Sequence, residues 1–332
     1  MYLITGFPRP LSRHMAQAIL ARTPDSEVTL LTQEHHATDA GRFAATLAEN
    51  RARVLAGDAA SMHLGLSTAE YKELSQSCTD VVHAAEWSGT DRMTLERVNV
   101  EGTRAVIELA QDCKKLRRLT HFSTAFVSGD RAGVVAEDEL SAGQAFRNAY
   151  EQTRFEAEIL VRRAMGALPC TVLRPPVVIG DGVEGPPAIA LLLVTSPLPV
   201  PLPGDGVAPL HAVPIDFVVQ AASAIHHDPR AVGRTFHLVD PNPASVRRVS
   251  QLVVQREGKQ PLRPSLGSRL TEAALKLSRL GELRGSGLTS NLVFYSSRNT
   301  VELLEGTGIR CPPIESYIDK LIDQARDRLR EP

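Results

Sequence analysis

One segment of the sequence places a proton donor and a cation at helical spacing. Residues 148–158, NAYEQTRFEAE, predict an amphipathic helix in which Tyr150, Arg154, Ala157 and Val161 share one face. A permanent positive charge one turn from a phenol favours the phenolate, so the spacing predicts a lowered pKa for Tyr150. Such a tyrosine can exchange a proton with a carbonyl oxygen during hydride transfer. The alternative is a structural Tyr150 at a helix–sheet boundary, followed by an exposed Arg154.

The composition is typical of a globular protein with a large core. The 332 residues are 43% hydrophobic and 23% charged, with a formal net charge of -1. Because charges of both signs are interspersed, we expect no nucleic-acid or membrane partner. The four cysteines match no metal or redox spacing, which predicts no metal site and reduced thiols in the cytoplasm. We also expect no signal peptide and no membrane span, since the residues after Met1 are already strand-like.

Strands alternate with helices through the first half of the chain. This alternation predicts right-handed βαβ units and a doubly wound, Rossmann-like parallel sheet in an α/β fold. The predicted strands are 2–5, 27–32, 52–58, 79–85, 119–127 and 169–176, and the main predicted helices are 11–21, 36–50, 91–113 and the one that begins near 148.

Beyond Gly180 the periodic pattern weakens. Residues 196–214 are rich in proline and predict an ordered loop that leads into a smaller lobe. We therefore predict a Rossmann-like domain over 1–180 and a smaller C-terminal α/β lobe over 181–332, which includes returning elements around 211–240. Further predicted elements are helices at 214–225, 266–281 and 313–329 and a strand at 234–240.

Seven motifs follow one another in an order that resembles the extended short-chain dehydrogenases/reductases (SDRs). They are ITG (4–6), GD (57–58), HAA (83–85), NVEGT (99–103), FSTAFVSG (122–129), YEQTR (150–154) and LRPPVVIG (173–180). The combination of STAFV with YEQT resembles the NAD(P)H-dependent acyl-thioester and fatty-acyl-CoA reductases. The resemblance covers roughly residues 2–240 and is far more specific for the fold than for the substrate.

The resemblance implies a role for each matching residue. Thr124 takes the place of the Ser/Thr that polarises the substrate carbonyl, and Tyr150 is the general acid/base. Arg154 occupies the position of the family's lysine, and Asn99 holds a water or backbone network on the neighbouring helix. The implied cofactor-binding residues are Gly6, Arg9, Ser12, Gln33, Asp58, His83, Ala84 and Pro175.

Several of these residues also have a purely structural interpretation. Thr124 suits a strand, Asn99 a helix cap, Asp58 a turn and His83 a hydrogen-bonded imidazole in the core. The order of the motifs favours the family roles, because each position falls where a βαβ unit would place it.

The first turn departs from the family pattern TGxxGxxG. Here the sequence is TGFPRPLS, so Gly6 is retained while Arg9 and Ser12 replace the second and third glycines. A dinucleotide-binding turn needs glycines because its backbone passes against the pyrophosphate. Pro8 and Pro10 additionally remove two N–H donors. The sequence therefore predicts weakened or lost dinucleotide affinity, although an Arg9 side chain that swings outward would instead bind phosphates.

Two further departures concern the ribose and the catalytic cation. Thr32 and Gln33 follow the second strand and supply neither the acid typical of NAD binders nor the base typical of NADP binders. Glu34 supplies an acid only if the turn is shifted by one residue. Arg154 keeps the charge of the family's lysine but presents a planar fork. A proton relay misplaced by about 1 Å would lower the rate by roughly 10²-fold.

These departures concentrate where cofactor binding and catalysis take place. They favour an SDR-fold protein with impaired or lost redox activity and a binding or regulatory role. The alternative is an active reductase that uses NAD or NADP to reduce an acyl thioester, aldehyde or ketone through Tyr150 and Thr124. A sugar-nucleotide epimerase or dehydratase shares the fold but is less favoured by STAFV and YEQT.

The resemblance also implies a homodimer. Family members pair through the helices that correspond to 91–113 and 146–163, which form a four-helix interface. The apolar or small residues available for this contact are Leu95, Val98, Gly102, Phe155 and Ile159, which could equally pack within one chain.

Overall fold

A seven-stranded parallel sheet forms the centre of the molecule. The computed structural model describes residues 1–47, 51–180, 183, 206–258 and 292–330. Its main strands are β1 (Tyr2–Thr5), β2 (Val28–Thr32), β3 (Ala52–Ala56), β4 (Asp80–His83), β5 (Arg118–Phe122), β7 (Cys170–Arg174) and β10 (Thr235–His237). Their order is β10-β7-β5-β4-β1-β2-β3. The predicted Rossmann-like α/β fold is therefore confirmed, and the strand predicted near 234 completes the sheet.

Helices cover both faces of this sheet. They are α1 (Pro10–Arg22), α2 (Ala37–Thr46), α3 (Thr68–Ser77), α4 (Arg92–Leu95), α5 (Gly102–Asp112), α6 (Ala149–Ala164) and α7 (Ile215–His227). On one face, α1 and α7 bury Ile19 and Ile225 against β1 and β2. On the other face, α5 and α6 bury Val106 and Val161. Apolar residues at helical spacing supply these buried stripes, as the sequence pattern predicts.

Two predicted elements end differently in the structure. The helix predicted over 91–113 is interrupted by a π-helical turn, Glu96–Glu101, between α4 and α5. The strand predicted over 119–127 stops at Phe122, because the chain turns into a short 3₁₀ helix at Ala125–Ser128. The helix predicted over 266–281 and the loop residues before 206 lie outside the described residues.

A smaller lobe packs beside the carboxyl ends of the strands. Its elements are β6 (Gly133–Val135), β8 (Val177–Ile179), β9 (Ala212–Pro214), α8 (Val246–Arg256), β11 (Val293–Tyr295) and α10 (Ile318–Arg330). The helix α9 (Arg298–Leu304) instead buries Leu303 and Leu304 in the core of the central sheet. β6 pairs with β11, and β8 pairs with β9. Three-residue strands show too little alternation to be found from sequence, which is why neither pair was predicted.

The helices of the predicted dimer contact are largely occupied within the chain. Leu95 and Gly102 are buried, and Val98, Phe155 and Ile159 are partly buried. The homodimer accordingly stays a prediction. None of the helices in the described ranges is long and apolar enough to cross a membrane.

Candidate active site

The carboxyl ends of the central strands meet around one cavity of ≈ 200 Å³. This is the edge at which open parallel sheets bind ligands. Five predicted site residues line it, namely Arg9, Ala84, Thr124, Tyr150 and Pro175. We call this space the strand-end cavity. Its other lining residues are Leu11, Glu86, Ser88, Phe122, Ser123, Phe126, Pro176, Val177, Val178 and Val183.

The start of α6 positions Tyr150 at the cavity. Asn148 caps the helix, since its side-chain oxygen accepts a hydrogen bond from the N–H of Glu151 at 2.8 Å. Tyr150 therefore lies in the first turn, and Ala157 and Val161 lie on the same buried face. The predicted amphipathic face is confirmed.

Arg154 lies behind the cavity and is only 1% exposed. This burial contradicts the structural alternative of an exposed arginine. Its Nη2 donates to the main-chain oxygen of Phe122. Its Nε and Nη1 find no hydrogen-bond partner in the part of the chain that the structure describes. A buried guanidinium with two unused donors is unusual, because unpaired buried polar groups destabilise a fold.

Glu86 connects the residues of the cavity, although it belongs to none of the sequence motifs. Its Oε2 accepts a hydrogen bond from the Tyr150 hydroxyl at 3.1 Å, and its Oε1 accepts one from Arg9 Nη2 at 3.1 Å. Arg9 Nη1 also donates to the main-chain oxygen of Glu86 at 3.1 Å. The available signal was its position three residues after a buried strand, at the ligand-binding edge of a parallel sheet.

The pKa of Tyr150 moves in the direction opposite to the prediction. Burial raises it, and the negative charge of Glu86 raises it further, which together outweigh the lowering by Arg154 and Arg9. For Glu86, burial opposes ionisation, but the charges of Arg9 and Arg154 keep its pKa below the ordinary value. At neutral pH Glu86 is thus a carboxylate and Tyr150 a phenol that donates to it. Arg154 lowers the pKa of Tyr150 as predicted, but burial and Glu86 reverse the net direction of the shift.

Asn99 holds the segment that carries Glu86. Its Oδ1 accepts from the N–H of Trp87 at 2.8 Å, while its Nδ2 donates to the Trp87 carbonyl at 3.0 Å. The same Nδ2 donates to the hydroxyl of Thr153 on α6 at 3.0 Å. Asn99 therefore ties the loop after β4 to the helix that bears Tyr150, in keeping with the backbone network that the resemblance implies.

Thr124 occupies the corner where β5 ends. Its Oγ1 accepts from the N–H of Phe126 at 3.3 Å and caps the short 3₁₀ helix. That bond uses the oxygen as an acceptor and leaves the hydroxyl proton free for a cavity ligand. The preceding Ser123 is fixed, because its hydroxyl donates to buried Glu158 at 2.6 Å.

Three predicted cofactor residues lie away from the cavity. His83 is in the core between the hydroxyls of Thr5 and Thr103, at 2.8 and 3.1 Å. Burial, followed by the charge of Arg154, lowers the pKa of His83 to about 3, so the imidazole is neutral. Its side chain thus makes the contacts of the structural alternative, and its place in the cofactor site stays a prediction. Gln33 and Asp58 instead follow the ends of β2 and β3.

Asp58 is held as a carboxylate at that second position. Burial opposes ionisation, but a hydrogen bond from the Ala60 N–H and the guanidinium of Arg97 lower the pKa of Asp58. The two bonds measure 2.9 and 2.8 Å. Asp58 therefore acts as a turn former with an arginine partner.

The first turn keeps the glycine that its backbone requires. Gly6 has a φ of 93°, and a Cβ there would lie 2.6 Å from the main chain of Ala84. The close approach of two strand ends therefore excludes any larger residue. The N–H of Arg9 donates to the carbonyl of Gly6 at 3.0 Å, so the turn itself uses this donor.

The residues of this turn do not fit a pyrophosphate held in the family's manner. Pro8 and Pro10 offer no N–H, and the Ser12 hydroxyl turns back to the Arg9 carbonyl at 2.8 Å. Glu86 adds a carboxylate at the cavity wall, where its charge opposes a bound phosphate. At ≈ 200 Å³ the strand-end cavity is also smaller than the roughly 300–1,000 Å³ of most ligand pockets.

A search for related sequences places the chain in a known family. The family model described as "Male sterility protein", an NAD-binding family, matches residues 4–222. This chain belongs to that family. It is 28% identical over 209 residues to fatty acyl-CoA reductase wat of Drosophila melanogaster, covering 52% of this chain and 40% of that protein. A trifunctional UDP-glucose 4,6-dehydratase/epimerase/reductase of Arabidopsis thaliana is 24% identical over 275 residues, covering 78% and 40%.

Solved structures agree with this placement. The terminal R domain from the myxalamid PKS-NRPS pathway superposes with a TM-score of 0.81 at 26% identity, covering 99% of this chain and 90% of that one. A UDP-glucuronic acid 4-epimerase of Bacillus cereus in complex with NAD superposes at 0.70 and 16% identity, covering 100% and 98%, and shares the fold alone. The chain is therefore an extended SDR protein of the thioester- and acyl-CoA-reductase-like type, within an NAD(P)-binding family. It spans 40% of the length of the two curated relatives.

Proposed function

We propose that this protein is a thioester-reductase-like SDR with impaired or lost redox activity, and that it acts as a binding or regulatory protein. The observation that carries the proposal is the pairing of Tyr150 with Glu86. In a working reductase the phenol must give its proton to the substrate carbonyl. Here the phenol donates to a carboxylate at 3.1 Å, which is a stronger acceptor than a neutral carbonyl.

The first turn supports the same proposal independently. Two prolines, the Arg9 side chain and the inward-turned Ser12 remove or occupy the groups that would hold a pyrophosphate. The first turn and the environment of Tyr150 thus both differ from the family pattern. Glu86 connects them, because it accepts hydrogen bonds from Arg9 in the turn and from Tyr150.

A second candidate is an active NAD(P)H-dependent reductase of an acyl thioester, aldehyde or ketone. Its support is that Thr124 and Tyr150 line one cavity, as a carbonyl-polarising hydroxyl and a proton donor should. For this candidate, displacement of Glu86 by the incoming ligands would have to free the phenol.

Titration with NADH and NADPH, followed by nucleotide fluorescence, separates the two candidates. We expect no binding below millimolar concentration, because the phosphate contacts of the family are missing. Micromolar affinity, together with oxidation of NADPH by a thioester that disappears in Tyr150→Phe, would establish the active reductase instead. The Tyr150→Phe protein should keep a nearly unchanged melting temperature, so that a loss of turnover is not a loss of fold.

A further inference from the structure

The strand-end cavity already holds a carboxylate, which comes from the protein itself. One oxygen of Glu86 accepts from Arg9 at 3.1 Å, and the other accepts from the Tyr150 hydroxyl at 3.1 Å. Both donors line the cavity and belong to different elements, the first turn and α6. An arginine and a phenol that converge on two oxygens of one carboxylate form a receptor for that group.

Behind this receptor lies a second position for the Glu86 carboxylate. Arg154 is 1% exposed, and its Nε is 4.0 Å from Glu86 Oε2, beyond hydrogen-bond distance. Its Nε and Nη1 have no partner among the residues that the structure describes. A shift of Glu86 by about 1 Å would bring this pair to ordinary hydrogen-bond distance. The buried guanidinium of Arg154 can therefore bind the Glu86 carboxylate if the hydrogen bond between Glu86 and Arg9 is broken.

The rest of the cavity suits a small apolar group. Beside the polar residues, its wall includes the apolar side chains of Phe122, Phe126, Pro175, Val177 and Val178. A cavity of ≈ 200 Å³ is smaller than most ligand pockets and therefore favours a ligand of few heavy atoms.

We propose that the strand-end cavity binds a small aliphatic carboxylate on Arg9 and Tyr150, and that this ligand displaces Glu86 onto Arg154. The inference rests on the proposed binding function and names its ligand class. The ligand carboxylate takes over the two hydrogen bonds now made by Glu86, and its alkyl group fills the apolar wall. Glu86 then pairs with the unused donors of Arg154, so that neither charge is left buried without a partner.

Calorimetric titration of the full chain with butyrate tests the proposal. In Glu86→Gln the internal competitor loses its charge, so the affinity for butyrate should rise roughly tenfold or more. In Arg9→Gln it should fall by a similar factor, because the charged hydrogen bond is lost. Arg92→Gln is the control: Arg92 lies on α4, pairs with Glu96 at 2.8 Å and should leave butyrate binding unchanged.

Other outcomes would overturn the ligand class. Unchanged butyrate affinity in Glu86→Gln would show that Glu86 does not compete for the site. Arg9-dependent binding of inorganic phosphate without binding of butyrate would assign the site to phosphate chemistry. Arg9→Lys, which keeps the charge on the same turn, guards against a folding defect in Arg9→Gln and should bind butyrate with intermediate affinity. Turnover of NADPH would instead refute the proposed function, whatever butyrate does.

Discussion

Two carboxylates, Glu86 and Glu158, lie near the carboxyl end of β5, and they differ in how completely their oxygens are hydrogen-bonded. Glu158 is 0% exposed and accepts from Ser123 at 2.6 Å, from Arg174 Nη2 at 2.6 Å and from Arg162 at 2.9 Å. Glu86 has a 27% exposed side chain, and its buried neighbour Arg154 stays 4.0 Å away with unused donors.

The difference separates a structural ion pair from a binding site. Every oxygen of Glu158 is matched, and its partner Arg174 makes further bonds to His237 at 3.1 Å and to the Glu139 carbonyl at 2.8 Å. A closed network of this kind fixes one geometry. The cluster around Glu86 is incomplete and opens onto a cavity, so it can exchange partners. Both clusters pair one carboxylate with two arginines. They differ because the donors around Glu158 are hydrogen-bonded, whereas Arg154 beside Glu86 has unused donors.

The largest expected effect comes from breaking the closed cluster. Glu158→Ala should lower the free energy of unfolding by roughly 3–5 kcal/mol, because Arg174 would be left as an uncompensated charge in the core. The measurement is urea denaturation, with the midpoint compared at constant m-value. Glu156→Ala, on the same helix, removes an acceptor of the Gln152 amide; it is the control and should change stability by less than about 1 kcal/mol.

Acid pH should reveal the same contrast. Burial opposes ionisation of Glu158, but Arg174 keeps its pKa below the ordinary value. A lowered folded-state pKa contributes stability above the unfolded-state pKa near ~4.3, and this stability is lost as pH falls through the folded-state pKa. As the pH is lowered, Glu158→Ala should therefore lose less of its unfolding free energy than the wild type does. If that variant matched the wild type in stability, Glu158 and Arg174 would not form the structural pair inferred here.

The sequence was informative about everything set by local pattern. The alternation of strands and helices predicted the sheet, and the motif order placed Thr124 and Tyr150 at one edge, where they share a cavity. The environment of Tyr150 was not predictable, since its pKa is raised by burial and by Glu86, which is 64 residues away along the chain. The hydrogen bonds of His83 were not predictable for a related reason, because the hydroxyls of Thr5 and Thr103 lie on other elements.

Restoring the family's residues in the first turn and at position 154 should increase the affinity for a dinucleotide. Arg9→Gly, Ser12→Gly and Arg154→Lys, combined in one protein, should raise the affinity for NADH or NADPH by at least roughly tenfold, which is about 1.4 kcal/mol. The backbone of the turn could then approach the pyrophosphate closely, and a lysine ammonium at position 154 would replace the planar guanidinium beside the ribose. Fluorescence titration against the unmodified protein provides the measurement.

Glu86 sharpens this test. Adding Glu86→Gln to the triple variant should tighten binding further, because a carboxylate no longer opposes the phosphates. If neither combination gained affinity, the dinucleotide path would be blocked by residues other than the turn and the strand-end cavity.

The smallest expected effect on stability is that of Glu86→Gln alone. The ion pair of Glu86 with Arg9 is partly exposed, with side chains 27% and 23% accessible, and buried Arg154 lies 4.0 Å from Glu86. The loss of unfolding free energy should therefore be smaller than the roughly 3–5 kcal/mol expected for Glu158→Ala. The effect on the protonation of Tyr150 should be larger. Without the negative charge, the pKa of Tyr150 should fall, because Arg154 and Arg9 then act against burial alone. Tyrosinate absorbance during alkaline titration measures this fall, with Glu86→Gln/Tyr150→Phe as the reference that isolates one phenol.

Alkaline stability should shift together with that pKa. A phenol whose folded-state pKa is raised contributes stability below its unfolded-state pKa near ~10, and this stability is lost as pH rises toward the folded-state pKa. Glu86→Gln should therefore lose less stability above about pH 10 than the wild type does. An unchanged tyrosinate titration would mean that burial alone protonates Tyr150. The contrast between the closed Glu158 cluster and the open Glu86 cluster would then not extend to the electrostatics of the phenol.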